Sequence, residues 1–376
     1  MKANIPLCLP HIGKHEELII KEILYSGWLT HGPYNQKLED QFRNMLGVRH
    51  AVCVNSCTSA LELAIKAPKI RGEVIVPSFT WVSSANAIVT GGAIPVFCDS
   101  ERSTRNVNKQ CLEAVLTDKT EAVMVVHYGG QCCPMDEIVE FCEKNNLLLI
   151  EDSAETIGGT WCGQQAGSWG IGCFSFFPTK NITTGEGGLF SCNDDQLFEL
   201  VKPMMAHGIP THTLERESRA IHPWERIAEM PGHNFRMSNL LAGLGYVQMQ
   251  KLDEMNEARR ARAKYYNDLL TALDLPLETP FETPQAKHVY QMYTIITEPE
   301  FRNDLVYHLK DQGIGASVHF APAVHQHPYY KTNFPARIPL PNAEYLANSL
   351  VTLPMYPTLE FSEIDYIVQQ IKTFFS

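Results

Sequence analysis

The chain lacks the features that would send it to a nucleic acid, a membrane or the cell exterior. No stripe of lysine and arginine runs through it. Its 31 basic side chains are outnumbered by 42 acidic ones, for a net charge of -11, so phosphate backbones and anionic lipid do not attract it. No run of about 18 apolar residues is present, and no membrane-spanning helix is expected. The start, Met1-Lys2-Ala3-Asn4-Ile5-Pro6, carries no apolar signal segment. The 11 cysteines are odd in number and scattered through apolar runs such as Ala51-Val52-Cys53-Val54. That pattern suits buried free thiols in a reducing compartment rather than a disulfide frame, so the expected location is the cytoplasm. Cys132-Cys133 lacks zinc-site spacing and has no second pair, and no metal is expected. Asn181-Ile182-Thr183 has the form of a glycosylation acceptor, discounted because no secretion signal precedes it. Repeats and low-complexity tracts are also missing.

What is there is an ordinary globular composition, 44% hydrophobic, in a chain long enough to outgrow one core. Over the first two thirds, short apolar β-branched runs at residues 50–54, 73–76, 94–98, 122–126 and 147–150 alternate with helical patterns at 59–66, 82–89, 108–115 and 135–144. Strands apolar on both faces and separated by helices predict an α/β fold with a mostly parallel sheet. Two further strands, 173–177 and 188–192, follow without a helix between them. A long helical pattern begins near Ser238 and runs through Leu252 into a charged stretch. Beyond it, strands near 290–297 and 316–320 alternate with helices at 302–312, 343–350 and 362–374, a smaller α+β lobe. The expected division is residues 1–250, a large cofactor-binding lobe with an N-terminal segment, and 251–376, a small C-terminal lobe. The stretch 210–237 is long and patternless, as functional loops often are.

Ligands of open parallel sheets bind beyond the carboxyl ends of the strands. After the first strand comes Asn55-Ser56-Cys57-Thr58-Ser59, a turn of small residues entering a helix. Such a turn offers backbone N–H groups to a phosphate, or is an ordinary cap by Ser56 or Thr58. After the fifth comes Glu151-Asp152-Ser153-Ala154-Glu155. A carboxylate there can keep a pyridine nitrogen protonated, which makes the ring an electron sink; capping and metal binding are the other uses. Then Ser175 precedes Phe176-Phe177-Pro178-Thr179-Lys180, followed by Gly185-Glu186-Gly187-Gly188. A lysine buried among aromatics loses basicity and can form a Schiff base, although snorkelling surface lysines are commoner. Singly these signals are weak. In this order they describe a site for pyridoxal phosphate.

The chain resembles the sugar aminotransferases of the DegT/DnrJ/EryC1/StrS family over nearly its whole length. The resemblance rests on Ser26-Gly27-Trp28-Leu29-Thr30-His31-Gly32-Pro33, the turn at 55–61, Val76-Pro77-Ser78-Phe79-Thr80-Trp81, Glu151-Asp152-Ser153-Ala154-Glu155, the segment 174–188 and Gly232-His233-Asn234-Phe235-Arg236-Met237. It implies the aspartate-aminotransferase-like fold, type I, and a pyridoxal-phosphate (PLP/PMP) transaminase. It implies further that Lys180 carries the cofactor and acts as general acid–base, Asp152 pairs with the ring nitrogen and Trp81 stacks on the ring. The amides of Cys57 and Thr58 and the Ser175 hydroxyl would hold the phosphate. Asn234 would reach the phosphate of a neighbouring subunit, which makes a homodimer with shared sites. The implied substrates are L-glutamate and a keto nucleotide-sugar, an NDP-4-keto-6-deoxyhexose by preference. The chain departs from the family pattern in Cys57, where Gly or Ala is usual, and in Glu155, where Gln is frequent. Glu155 resembles perosamine-synthase-like members, as does Ile221-His222-Pro223-Trp224, or it is a tolerated isostere. A dehydratase branch carries histidine in place of the lysine, and a non-catalytic sensor on the same fold is a second rival. His319 and His325 border the implied site, with packing an equal alternative; Tyr329-Tyr330 is expected to pack locally.

Overall fold

In the computed structural model the described residues are 4–210 and 224–376. The strands are β1 (His50–Val54), β2 (Glu73–Pro77), β3 (Ile94–Cys98), β4 (Thr120–Val126), β5 (Leu148–Asp152), a two-residue pair β6 (Thr160–Trp161) and β7 (Gln164–Gln165), then β8 (Ile171–Ser175) and β9 (Gly188–Cys192). Seven of them form one sheet in the order β1-β9-β8-β5-β4-β2-β3. β3, β2, β4, β5 and β8 are parallel neighbours, and β9 runs antiparallel between β8 and β1. This is the α/β architecture expected, and the missing helix between β8 and β9 is why β9 reverses.

The apolar runs are continuous because helices cover both faces. Val74 and Val76 of β2 and Ala122 and Met124 of β4 join the core that contains the Cys57–Lys66 and Ser83–Gly91 helices. Their neighbours Ile75, Val123 and Val125 join the core of the Met135–Lys144 helix. A third core gathers the Lys14–Ser26, Pro33–Leu46 and Asn239–Met249 helices against Cys53, Phe174 and Leu189. All eleven cysteines are free thiols, Cys162 being the exposed one.

The C-terminal part has its own core, in which the Leu252–Thr271 and Phe361–Phe375 helices cover a small antiparallel sheet of β10 (Leu277–Glu278), β12 (Tyr293–Thr297) and β13 (Leu350–Leu353). The pair β11 (Ala286–Lys287) lies on β6 instead. Ile5 also belongs to this C-terminal core: its amide donates to Gly313 and its carbonyl accepts from Gly315. The Leu7 carbonyl accepts from Met355.

Four elements differ from the sequence reading. The helix beginning at Ser238 is two helices, broken at Gln250 and Lys251, whose amides bond only three residues back, to Val247 and Gln248. Tertiary contacts favour the break, because Gln248 and Lys251 both turn their side chains to the His11 carbonyl and Glu16. Residues 316–320 form no strand; Ser317 makes one isolated bridge, to Thr352. Leu350 starts β13 rather than ending a helix. β8 ends at Ser175, so Phe176 and Phe177 already belong to the turn. Of the segment Ile221-His222-Pro223-Trp224, the first three lie outside the described residues.

Candidate active site

The carboxyl ends of β1, β2, β4, β5 and β8 open on one cavity of about 350 Å³. Ser56, Cys57 and Thr58 line it from the exit of β1, Trp81 from that of β2, Asp152 and Glu155 from that of β5, Ser175 and Lys180 from that of β8. A larger depression, about 1160 Å³, lies at the opposite ends of β5 and β8, with an acidic rim of Glu121, Glu143, Asp194 and Asp195. Parallel sheets present their helix N-termini at the carboxyl ends, so the smaller cavity is the one built for a ligand.

Ser56 caps the Cys57–Lys66 helix by accepting from the Ser59 amide at 3.1 Å. The cap and the phosphate-type turn are therefore one structure. The amides of Cys57 and Thr58 belong to the first turn, which has no intrahelical acceptor for them. Gly188 of β9 packs against this turn, where a Cβ would stand 2.5 Å from the Cys57 nitrogen. That contact accounts for the last glycine of the Gly-rich run.

Asp152 ends β5 fully enclosed. Its carboxylate accepts from the Ser84 hydroxyl at 2.8 Å and from the Ala154 amide at 3.2 Å. Burial pushes this carboxyl above its ordinary value, against the opposing effect of those two hydrogen bonds. The Cys57 thiol donates at 3.8 Å to Oδ1 of the same carboxylate, the oxygen that also accepts from Ala154. Burial, with Asp152 beside it, keeps that thiol protonated.

Lys180 is fixed by its neighbours in the turn. Its amide donates to the Phe177 carbonyl at 2.9 Å, and the Thr183 hydroxyl and Thr184 amide close on the Phe176 carbonyl. Gly185 takes a φ of +82°, a conformation that suits glycine. On one side Gln291 Nε2 donates to the Thr179 carbonyl at 2.7 Å; on the other Asn181 donates to Asn256 at 2.8 Å. The Lys180 ammonium donates to Glu155 Oε1 at 3.1 Å, and Glu155 Oε2 accepts from the Gly129 amide at 2.8 Å. The lysine is thus a cavity residue held by a carboxylate and does not snorkel to the surface.

Trp81 stands at the cavity wall, 59% exposed as a residue, with its ring centroid 5.7 Å from that of Phe320. Asn234 is the one predicted cofactor-binding residue that does not line this cavity. Its carbonyl accepts from Asn55 and its Oδ1 from Arg236. His319 lines the cavity, whereas His325 is tied between Ser78 and Glu344 at 2.6 and 3.2 Å, away from it. Tyr329 packs edge-on against Tyr330. Ser84, Gly129 and Gln291 went unseen in the sequence. Each acts from a distant segment, and no local pattern marks it.

The residues present fit pyridoxal phosphate. First-turn amides and a hydroxyl suit an anion, an enclosed carboxylate suits a protonated ring nitrogen, and the amine of Lys180 lines the same cavity. Among the described residues no group of three or more His, Cys, Asp or Glu could hold a metal, and no helix is long and apolar enough to cross a membrane.

Comparison with known proteins points the same way. The model of the DegT/DnrJ/EryC1/StrS aminotransferase family matches residues 10–372. The spore coat polysaccharide biosynthesis protein SpsC of Bacillus subtilis (strain 168) is 37% identical over 377 aligned positions, covering 98% of this chain and 96% of that protein. Helicobacter pylori PseC, an aminotransferase involved in the biosynthesis of pseudoaminic acid, superposes with a TM-score of 0.91 over 99% of both chains at 26% identity. A PLP-form structure from Streptococcus pneumoniae, described as a sugar aminotransferase, superposes with a TM-score of 0.91 at 27% identity, over 99% of this chain and 98% of that one.

Proposed function

The chain belongs to the DegT/DnrJ/EryC1/StrS aminotransferase family, and from that premise we propose that it moves an amino group from L-glutamate to a keto sugar carried on a nucleotide. It is a sugar aminotransferase with pyridoxal phosphate as cofactor. The proposal concerns the substrates, an NDP-4-keto-6-deoxyhexose foremost, and the residue roles. The observation that carries the residue roles is the convergence of Lys180, Glu155 and Asp152 in one cavity with the Cys57–Thr58 helix start; the substrates rest on the family membership.

When bound, the cofactor supplies an electron sink for the carbon that loses its proton. The chain's residues do the rest. The Cys57 and Thr58 amides and the Ser175 hydroxyl hold the phosphate, and Asp152 holds the protonated ring nitrogen. Trp81 offers its ring face to the cofactor ring. Lys180 Nζ would hold the cofactor between turnovers and, when free, would take the proton from the donor's reacting carbon and return one. Glu155 steadies the lysine and is itself fixed by the Gly129 amide. Asn234, outside its own chain's cavity, serves the phosphate of a second copy in a homodimer. The proposed lobe division is 1–250 and 251–376.

The test is a product assay with GDP-, UDP- and dTDP-linked 3-keto and 4-keto sugars, with and without glutamate. Aminated product that requires glutamate supports the reading. Deoxygenated product without any glutamate requirement replaces it with dehydration. Protein that purifies without a yellow chromophore and takes none up would instead mark a sensor.

A further inference from the structure

The cavity has two walls of different origin. Strand ends build one, and it carries the groups with roles above: Lys180, Asp152, Glu155, Ser175 and the Cys57–Thr58 turn. The other comes from the C-terminal lobe and the N-terminal strap, among them Gln291, His319, Phe320 and Thr352, with Leu7 and Cys8. Of its polar side chains, Gln291 is spent on the Thr179 carbonyl and the Cys8 thiol on that of Pro178, while His319 and Thr352 are bonded to each other, His319 Nδ1 to Thr352 Oγ1 at 3.0 Å. The backbone is tied as well, because the buried Tyr128 hydroxyl donates to the His319 carbonyl. The imidazole is therefore held at one nitrogen and at its own main chain, while Nε2 has no hydrogen-bond partner among the described residues.

We propose that His319, oriented by Thr352, recognises the sugar hydroxyl next to the reacting carbonyl of the acceptor and so sets which keto sugar is aminated. The inference rests on the transaminase reading above and adds a specificity residue to it. Its chemistry separates the two substrates. Burial lowers the affinity of His319 for a proton, Lys180 acts in the same direction and Glu155 against it, so the ring stays neutral near pH 7. A neutral imidazole offers one N–H or one lone pair, which matches a hydroxyl. The carboxylates of glutamate and the diphosphate of the nucleotide call for cations instead. A site that bonds a hydroxyl also rejects the analogue lacking it, because a buried polar group is left unpaired.

The experiment follows the two half-reactions of the holoenzyme separately by cofactor absorbance, first with glutamate alone, then with 4-keto-6-deoxyhexoses linked to GDP, UDP or dTDP and with their 3-deoxy counterparts. His319→Asn places an amide near Nδ1, keeping the Thr352 bond and removing the Nε2 group; His319→Gln places one near Nε2. The expected result for His319→Asn is an unchanged absorbance spectrum and a glutamate half-reaction within about twofold of the parent. The KM for the sugar should rise about tenfold, the size of one lost hydrogen bond to a hydroxyl. It should rise little for the 3-deoxy sugar, and His319→Gln should recover part of the loss. Equal slowing of both half-reactions overturns the proposal by placing His319 in the proton transfer, and so does an unchanged preference between the hydroxy and deoxy sugars. If the parent enzyme fails with glutamate, or with every sugar of the set, the proposed substrates fall and this inference falls with them.

Discussion

Two acid–base pairs stand four residues apart at the exit of β5, and they are opposites. Glu151 and His127 are both wholly buried, and their contact is 3.1 Å. Glu151 Oε1 accepts from the Trp169 and Gly170 amides and Oε2 from the Gly167 amide, each at 2.8 Å. His127 Nδ1 accepts from the Cys133 amide, which leaves Nε2 to donate to Glu151. The pair has no unused group and no access to the cavity. Glu155 and Lys180 also meet at 3.1 Å, yet both line the cavity, and the ammonium uses one of its three donors on Glu155. Saturation makes the first pair a strut. Incomplete saturation beside a cavity leaves the second able to exchange partners, which a proton carrier must do.

Replacing Lys180 with Ala should strike hardest at chemistry, lowering turnover by about 10⁴-fold and abolishing the cofactor's lysine-linked absorbance. Retention of both would break the assignment. Glu151→Gln should strike hardest at the fold. It sets an amide N–H₂ against backbone donors in a sealed site, at about 3 kcal/mol, read as a lower melting temperature in the cofactor-free protein. A Glu151→Gln protein that melts like the parent would show the strut to be dispensable.

Asp152→Asn sharpens the contrast through pH. Burial raises the Asp152 pKa above its unfolded value, so the folded state holds the proton more tightly. Stability then falls as pH climbs from the unfolded pKa through the folded one. The cofactor-free Asn variant should gain in melting temperature relative to the parent at pH 8 compared with pH 4, while losing cofactor affinity. No pH trend in that difference would sink the argument. Glu155→Gln should cut turnover about tenfold and alter melting by less than ~1 kcal/mol, since the amide oxygen can still accept from Gly129. Gln291→Ala, which frees the Thr179 carbonyl before Lys180, is the smallest change, about 1 kcal/mol of stability with a modest fall in turnover.

Much of this was legible beforehand. The strand ends that deliver Asp152 and Lys180 follow from apolar runs, because a run buried on both faces leaves few alternatives. The Gly-rich segment after Lys180 marked close packing, and Gly188 against the Cys57 amide is that packing. The break at Gln250 and the loss of a strand at 316–320 were not legible, since partners far away in the sequence decided both. The same holds for Ser84 on Asp152 and Gln291 on the Lys180 turn.

The sequence by itself determined the parallel sheet and the residues at its strand exits, because periodicity and turn chemistry are local, and its family resemblance supplied the cofactor class. It could not distinguish Glu151 from Glu155 as strut and partner, nor His319 from His325 as cavity residue and tie. Those distinctions depend on how many donors reach each group from other segments, and only the tertiary structure brings those segments together.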